Sequence, residues 1–111
     1  MPSADPIDQV FRALADPTRR RVVERLCRSP ASVGELAQPF DMALPSFVQH
    51  LRVLETCGLV RSKKVGRVRI FHVVPRRMKV AAHWLDRQRA LWEQRLDQLD
   101  DLLITLSERP A

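Results

Sequence analysis

Apolar residues recur at helical spacing in several stretches of the chain. In the first stretch, Ile7, Val10, Phe11 and Leu14 stand at positions i, i+3, i+4 and i+7, which is typical of one face of an amphipathic helix. Helix-capping residues, prolines and glycines separate this stretch from the ones that follow. The pattern as a whole predicts helices over residues 7–15, 17–28, 33–40 and 44–58, and a long helix over about 76–108.

The period of the pattern changes after residue 58. In residues 60–64 and 68–72, every second residue alternates with a charged or bulky neighbour, which is typical of strands. Gly66 lies between the two segments and can adopt the positive φ that a tight turn needs. Pro75 ends the second segment. The chain is therefore predicted to form a β-hairpin over about 60–74.

The segment before the hairpin has the spacing of a helix-turn-helix. Ser32 is followed three residues later by Glu35, which is the signature of a capping box at the start of a short helix. A turn at residues 41–43 then leads into the helix over 44–58. A helix-turn-helix followed by a hairpin predicts a mainly α fold of the winged helix-turn-helix class, in one domain that covers residues 1–111.

The helix over 44–58 has two different faces. Phe47, Leu51 and Leu54 form one apolar stripe, whereas Gln49 and Arg52 fall on the opposite side. Gln commonly reads adenine and Arg commonly reads guanine or contacts phosphate. This pattern favours a DNA-recognition helix over the alternative, an ordinary amphipathic helix in a small bundle.

The charge distribution supports a polyanionic partner. The net charge is +6 and the isoelectric point is about 10.6. Residues 60–79 hold eight basic side chains and no acidic one, whereas residues 80–111 hold four basic and six acidic side chains. The cationic region therefore includes the whole predicted hairpin. We call this hairpin, residues 60–74, the wing.

The predicted C-terminal helix has a different role. Leu85, Trp92, Leu99 and Leu106 repeat every seventh residue, and this stripe is long for a chain of 111 residues to cover by itself. It either packs within its own chain or, as we expect, pairs with a second subunit. No apolar run is long enough to cross a bilayer and no signal peptide is evident, so we expect a cytoplasmic protein.

Four runs along the chain carry a family resemblance. They are FRALADPTRR (11–20), SVGELA (32–37), HLRVLETCGLV (50–60) and KVGRVR (64–69), and together they resemble the ArsR/SmtB family of bacterial winged-helix repressors. The resemblance implies a homodimer that binds operator DNA. It implies further that the fourth helix enters the major groove, that the wing contacts the flanking backbone, and that the first and last helices form the dimer interface.

The side chains that we expect to contact DNA lie on the recognition helix and the wing. They are Leu44, Pro45, Ser46, Val48, Gln49, Arg52, Lys63, Lys64, Arg67 and Arg69. The resemblance places Leu44, Pro45, Val48 and Gln49 near the bases, where the apolar ones could contact thymine methyl groups. The residues that we expect in the dimer interface are Val10, Phe11, Leu14, Trp84, Leu85, Leu91, Trp92, Leu96, Leu99 and Leu103.

The chain departs from the family at its sensing sites. Ser32-Val33-Gly34 stands where the arsenic-sensing branch has C-V-C, so the thiolates for a soft metal are missing there. The last helix has no Asp and His pair at the ligand spacing of the zinc-sensing branch. We therefore expect no metal and no cofactor.

The start of the predicted recognition helix also departs from the family, because Ala43 stands where many members have a capping Ser.

Two other possibilities remain open at the sequence level. Cys27 and Cys57 are expected to be small buried residues, but Cys57 lies near the cationic wing and the pair could serve as a thiol or soft-metal sensor. The fold could also be an interaction module for a protein or an RNA, although Phe71 alone would be a thin stacking platform for RNA. An enzyme is not expected, because no catalytic arrangement or Gly-rich phosphate loop can be placed.

Overall fold

The computed structural model describes residues 5–108 and contains helices and strands in the order that the sequence predicts, with one additional short strand. The elements in chain order are α1 (Pro6–Leu14), α2 (Pro17–Arg28), β1 (Ala31–Ser32), α3 (Val33–Ala37), α4 (Leu44–Thr56), β2 (Val60–Val65), β3 (Val68–Val73) and α5 (Pro75–Ser107). The sequence also predicts a short polar arm over residues 1–6, and residues 1–4 of this arm lie outside the described residues. Its last two residues belong to the start of α1.

Polar side chains fix the starts of the first three helices. Asp5 accepts a hydrogen bond from the backbone N–H of Ile7, and Asp16 accepts one from that of Arg19, both at 3.0 Å. Ser32 and Glu35 form both hydrogen bonds of the predicted capping box. These contacts fix where the three helices start. Helix α2 has the predicted bounds, whereas α1 ends one residue and α3 three residues earlier than predicted.

The wing belongs to a three-stranded antiparallel sheet with the order β1-β3-β2. The hairpin of β2 and β3 has the predicted position, and Gly66 in its turn has a φ of 64°. Strand β1 was not predicted, because two residues are too few to show an alternation. Its Ala31 lies opposite Phe71, and both side chains are buried.

The core lies under α4 and the sheet. Phe47, Leu51 and Leu54, the predicted inward stripe of α4, are buried almost completely. They pack with Val10 of α1 and Phe71 of β3 in one apolar cluster. The burial of Phe71 rules out the stacking role that an RNA-binding module would need. Burial of Val10 likewise removes it from the predicted dimer interface, because a side chain with 0% exposure has no surface for a partner.

The chain separates into two compact units, which meet within α5 between Ala81 and Ala82. In the second unit, the apolar side chains of α5 other than Trp84 are solvent-exposed. These include Leu85, Leu91, Trp92, Leu96, Leu99 and Leu103 of the predicted interface. Trp84 is half-buried. Between residues 5 and 108, none of the helices is both long enough and apolar enough to cross a membrane.

Candidate nucleic-acid interface

The outward face of α4 presents the side chains that the sequence predicts. Leu44, Pro45, Ser46, Gln49 and Arg52 are exposed. Val48 is half-buried beside them. Since the opposite face of α4 is anchored in the core, this largely solvent-exposed face is held in a fixed position.

A shallow cavity of about 370 Å³ runs along this outward face. Its walls are formed by Leu44, Pro45, Val48, Gln49 and Arg52. Its lining combines three apolar side chains with one amide and one guanidinium. Such a surface can match the major-groove edges of DNA, where a thymine methyl group lies next to hydrogen-bonding base atoms.

The first turn of α4 lacks a side-chain cap. Ala43 occupies the N-cap position and contributes no side-chain hydrogen bond, as the sequence predicts. The backbone N–H groups at a helix start carry partial positive charge and bind anions. A phosphate group would therefore stabilise this turn in place of the missing cap.

The wing presents a dense set of cations. Lys63, Lys64, Arg67 and Arg69 are all exposed. Lys64 lies directly opposite Arg69 in the register of β2 and β3. Like charges at opposing positions destabilise a sheet, so this pair favours an anion as the partner of the wing.

A chain of hydrogen bonds connects the wing to the end of α4. Ser62 Oγ donates to Glu55 Oε1 at 3.2 Å, and Arg69 Nη1 donates to Ser62 Oγ at 3.0 Å. Arg69 is therefore held in one orientation beside α4. Sequence analysis missed this link, although Glu55 could have suggested it as the lone acidic residue between positions 44 and 79.

Arg19 connects three helices and was also missed by sequence analysis. Its Nε donates to the backbone oxygen of Ala13 at 2.7 Å and its Nη2 donates to that of Arg12 at 3.1 Å, at the end of α1. Its Nη1 lies 3.3 Å from Nδ1 of His50 on α4. A guanidinium only donates hydrogen bonds, so this contact requires an unprotonated Nδ1. Arg19 thus fixes α4 against α1 and α2.

Asp16 lies in the same cluster. Its Oδ2 is 3.6 Å from Nδ1 of His50, a longer contact than that of Arg19. Partial burial raises the pKa of Asp16, but the backbone N–H groups of Arg19 and Thr18 and the positive charge of Arg19 outweigh burial, so the pKa lies below its usual value. The carboxylate is therefore the form that holds the start of α2.

Aromatic packing holds the turn between α3 and α4. The rings of Phe40 and Phe47 lie 5.3 Å apart between centroids. The guanidinium of Arg21 lies 4.5 Å above the ring of Phe40. These contacts fix the position of α3, the short first helix of the helix-turn-helix, relative to the start of α4.

The two cysteines differ from each other and from the predictions made for them. Cys27, which the sequence places on the inward face of α2, is exposed. Cys57 is buried, and its S–H donates to the backbone oxygen of Leu54 at 3.3 Å. Burial raises the pKa of the Cys57 thiol despite the charges of Arg19 and Arg77. The idea of a cationic setting that favours the Cys57 thiolate is therefore wrong.

Metal-binding geometry is absent from the part of the chain that the structure describes. Over residues 5–108, no three or more His, Cys, Asp or Glu side chains come together in a way that could hold a metal ion. His50 is half-buried, while His72 and His83 are exposed. The Ser32 and Gly34 positions contribute to a capped helix start instead of a thiolate site.

Comparison with known proteins identifies relatives of this chain. A family model described as a helix-turn-helix domain matches residues 14–63. The HTH-type transcriptional regulator Rv2034 of Mycobacterium tuberculosis is 41% identical over 80 residues, which cover 72% of this chain and 75% of the regulator.

Two solved structures are similar to the fold. The ArsR family transcriptional regulator RHA00566 has a TM-score of 0.74 and 50% identity, and the match covers 79% of this chain and 91% of that protein. The homodimeric winged helix-turn-helix DNA-binding domain of Mb0332 from Mycobacterium bovis has a TM-score of 0.60 and 20% identity, with 85% of this chain and 84% of that domain covered. The second similarity concerns the fold alone.

Proposed function

Because this chain belongs to the ArsR/SmtB family of winged helix-turn-helix transcriptional regulators, we propose that it is a homodimeric repressor that occupies an inverted-repeat operator. The observation that carries this proposal is the pairing of two exposed surfaces. The outward face of α4 offers base-reading groups, and the adjacent wing offers cations. Occupancy of the operator by such a dimer excludes transcription proteins from the same DNA.

In this proposal the outward face of α4 reads base edges. Gln49 forms hydrogen bonds to one base pair, while Leu44, Pro45 and Val48 contact apolar groups such as thymine methyls. Ser46 lies in the uncapped first turn of α4 and faces the DNA backbone. In a dimer, the two copies of α4 enter successive major grooves about 34 Å apart.

The cationic side chains hold the DNA backbone. Arg52 on α4 and Lys63, Lys64 and Arg67 on the wing contact phosphates or the adjacent minor groove, which attracts Arg where it is narrow. Arg69 acts in a fixed orientation, since Ser62 holds its guanidinium. These contacts supply affinity on every sequence, whereas the α4 contacts supply discrimination.

The dimer is held by the exposed apolar face of α5. Its proposed contacts are Trp84, Leu85, Leu91, Trp92, Leu96, Leu99 and Leu103, together with Phe11 and Leu14 of α1. Phe11 is 36% exposed and Leu14 is half-buried, so both retain surface that a partner can cover. Mb0332, whose likeness to this chain concerns the fold, is itself described as homodimeric.

Selection of bound fragments from a random pool of duplex DNA tests the proposal. We expect enrichment of an inverted repeat, and affinity for it that falls steeply with salt, as roughly 6–10 neutralised phosphates require. A flat salt dependence, or no enrichment, would contradict the proposal and favour a protein partner.

Two substitutions then separate the two kinds of contact. Arg67→Ala lowers affinity equally on all sequences, whereas Gln49→Ala relaxes the preference at one base pair. Arg87→Ala and Gln94→Ala, which make the same changes on exposed positions of α5, are the matched controls and leave DNA affinity unchanged. The opposite pattern in footprinting with variant operators would reverse the assigned roles.

A further inference from the structure

A second groove runs along α4 on the other side of Gln49 and Arg52. It lies between α1 and α4 and has a volume of about 380 Å³. Its remaining walls are Gln9, Arg12 and Ala13 of α1, and Val53, Thr56 and Cys57 of α4. The volume falls within the range of small-molecule sites, and two proposed DNA contacts line it.

The groove combines an apolar floor with cationic edges. Ala13 and Cys57 are buried and form the floor together with the side chain of Val53. Arg12 and Arg52 are exposed at the edges, and no acidic side chain lines the groove. Over residues 5–108, neither guanidinium forms a hydrogen bond or ion pair with another side chain. The chemistry that complements this surface is an apolar body with one carboxylate.

In the proposed dimer, the partner subunit does not cover the side of α1 that lines this groove. Successive residues of a helix are about 100° apart around its axis, so Phe11 lies roughly 150° away from the side that carries Gln9, Arg12 and Ala13. A partner that covers Phe11 therefore contacts the opposite side of α1. An apolar segment of a second copy would also leave Arg12 and Arg52 without an anionic partner.

We propose that this groove binds a small amphipathic carboxylate and that the bound acid competes with operator DNA. Its carboxylate pairs with Arg12 and Arg52, and its apolar part covers Val53 and the floor. Arg52 is then no longer available for a phosphate, and the bound acid also lies beside the Gln49 side chain. The competition rests on the proposed function, whereas binding of the acid does not.

Calorimetric titration of the full chain with 4-phenylbutyrate, without DNA, tests the site. We expect saturable binding of one acid per chain, about tenfold weaker for Arg12→Gln and for the neutral amide of the same acid, because a charged hydrogen bond is lost. Arg28→Gln, an exposed position of α2 outside the groove, is the matched control and binds like the parent protein. Equal binding by Arg12→Gln, equal binding of the amide, or no saturable binding would overturn the site.

Anisotropy of a labelled operator duplex tests the competition. Saturating 4-phenylbutyrate should weaken DNA binding by about fivefold or more, and this effect should be smaller in Arg12→Gln, whose DNA affinity without acid is that of the parent. Acid binding with unchanged DNA affinity would refute the competition. Absence of DNA binding in every condition would refute the proposed function instead, and calorimetry would still decide whether the groove binds the acid.

Discussion

Substitution of Leu99 by Ala tests the proposed pairing of α5 quantitatively. Leu99 lies in the heptad stripe and is 49% exposed, so a partner can cover about half of its side chain. Full burial of Leu stabilises by about 1.5–3 kcal/mol, and the uncovered half is therefore worth about 1 kcal/mol per chain. A symmetric dimer contains the residue twice. We expect Leu99→Ala to weaken the dimer by about 2 kcal/mol, or about 30-fold in the dissociation constant.

Analytical ultracentrifugation over a series of protein concentrations measures this effect. Ala has a high helix propensity, so the substitution removes contact area without disrupting α5. Gln94→Ala is the control, because Gln94 is exposed and lies about 140° around the helix from Leu99. Identical sedimentation of Leu99→Ala and the parent protein, or equal weakening by both substitutions, would refute the assigned interface.

Three further predictions concern the elements that position the reading surface. Asp16→Ala should lower the free energy of unfolding by about 1 kcal/mol at neutral pH in urea titrations. Because the folded pKa of Asp16 is depressed, the whole stability difference between parent and variant is present above the unfolded pKa. It shrinks as the pH falls through the folded pKa. Iodoacetamide should modify Cys27 rapidly and Cys57 only on unfolding, and equal rates in mass spectra would contradict the buried thiol. Ser62→Ala should weaken DNA binding by about threefold in anisotropy titrations with an unchanged salt dependence, because Arg69 loses its fixed orientation. The control is Ser29→Ala, which also removes an Arg–Ser hydrogen bond and should leave DNA binding unchanged.

Local sequence signals were sufficient for most of the helices. Asp16-Pro17 predicts the start of α2, and Ser32 with Glu35 predicts the start of α3, because each signal needs only neighbouring residues to form its hydrogen bonds. The inward stripe of α4 was predicted for the same reason. Its three apolar residues are spaced by the helical period and are buried as expected.

Features that depend on distant contacts could not be predicted in this way. Strand β1 exists because Ala31 pairs with Phe71, forty positions later in the chain. Cys27 follows the helical period of the inward residues, yet it is exposed at the last turn of α2. Val10 was assigned to the dimer interface by resemblance, whereas the fold uses it for the core.

The positioning of the candidate site was also hidden from the sequence. Arg19 contacts α1 six positions earlier and His50 thirty-one positions later, and no local spacing reports such a reach. The link from Glu55 through Ser62 to Arg69 similarly requires the hairpin to fold back beside α4. Sequence thus predicts which side chains would contact DNA, while the structure supplies the contacts that orient them.

The uncapped start of α4 affects how the protein responds to temperature. A turn without a side-chain acceptor opens more readily on warming than the capped starts of α1, α2 and α3. In the proposed complex, duplex DNA would complete that turn through a phosphate oxygen and so hold the start of α4 closed. Heating would then lower the affinity for the proposed operator before it unfolds the core.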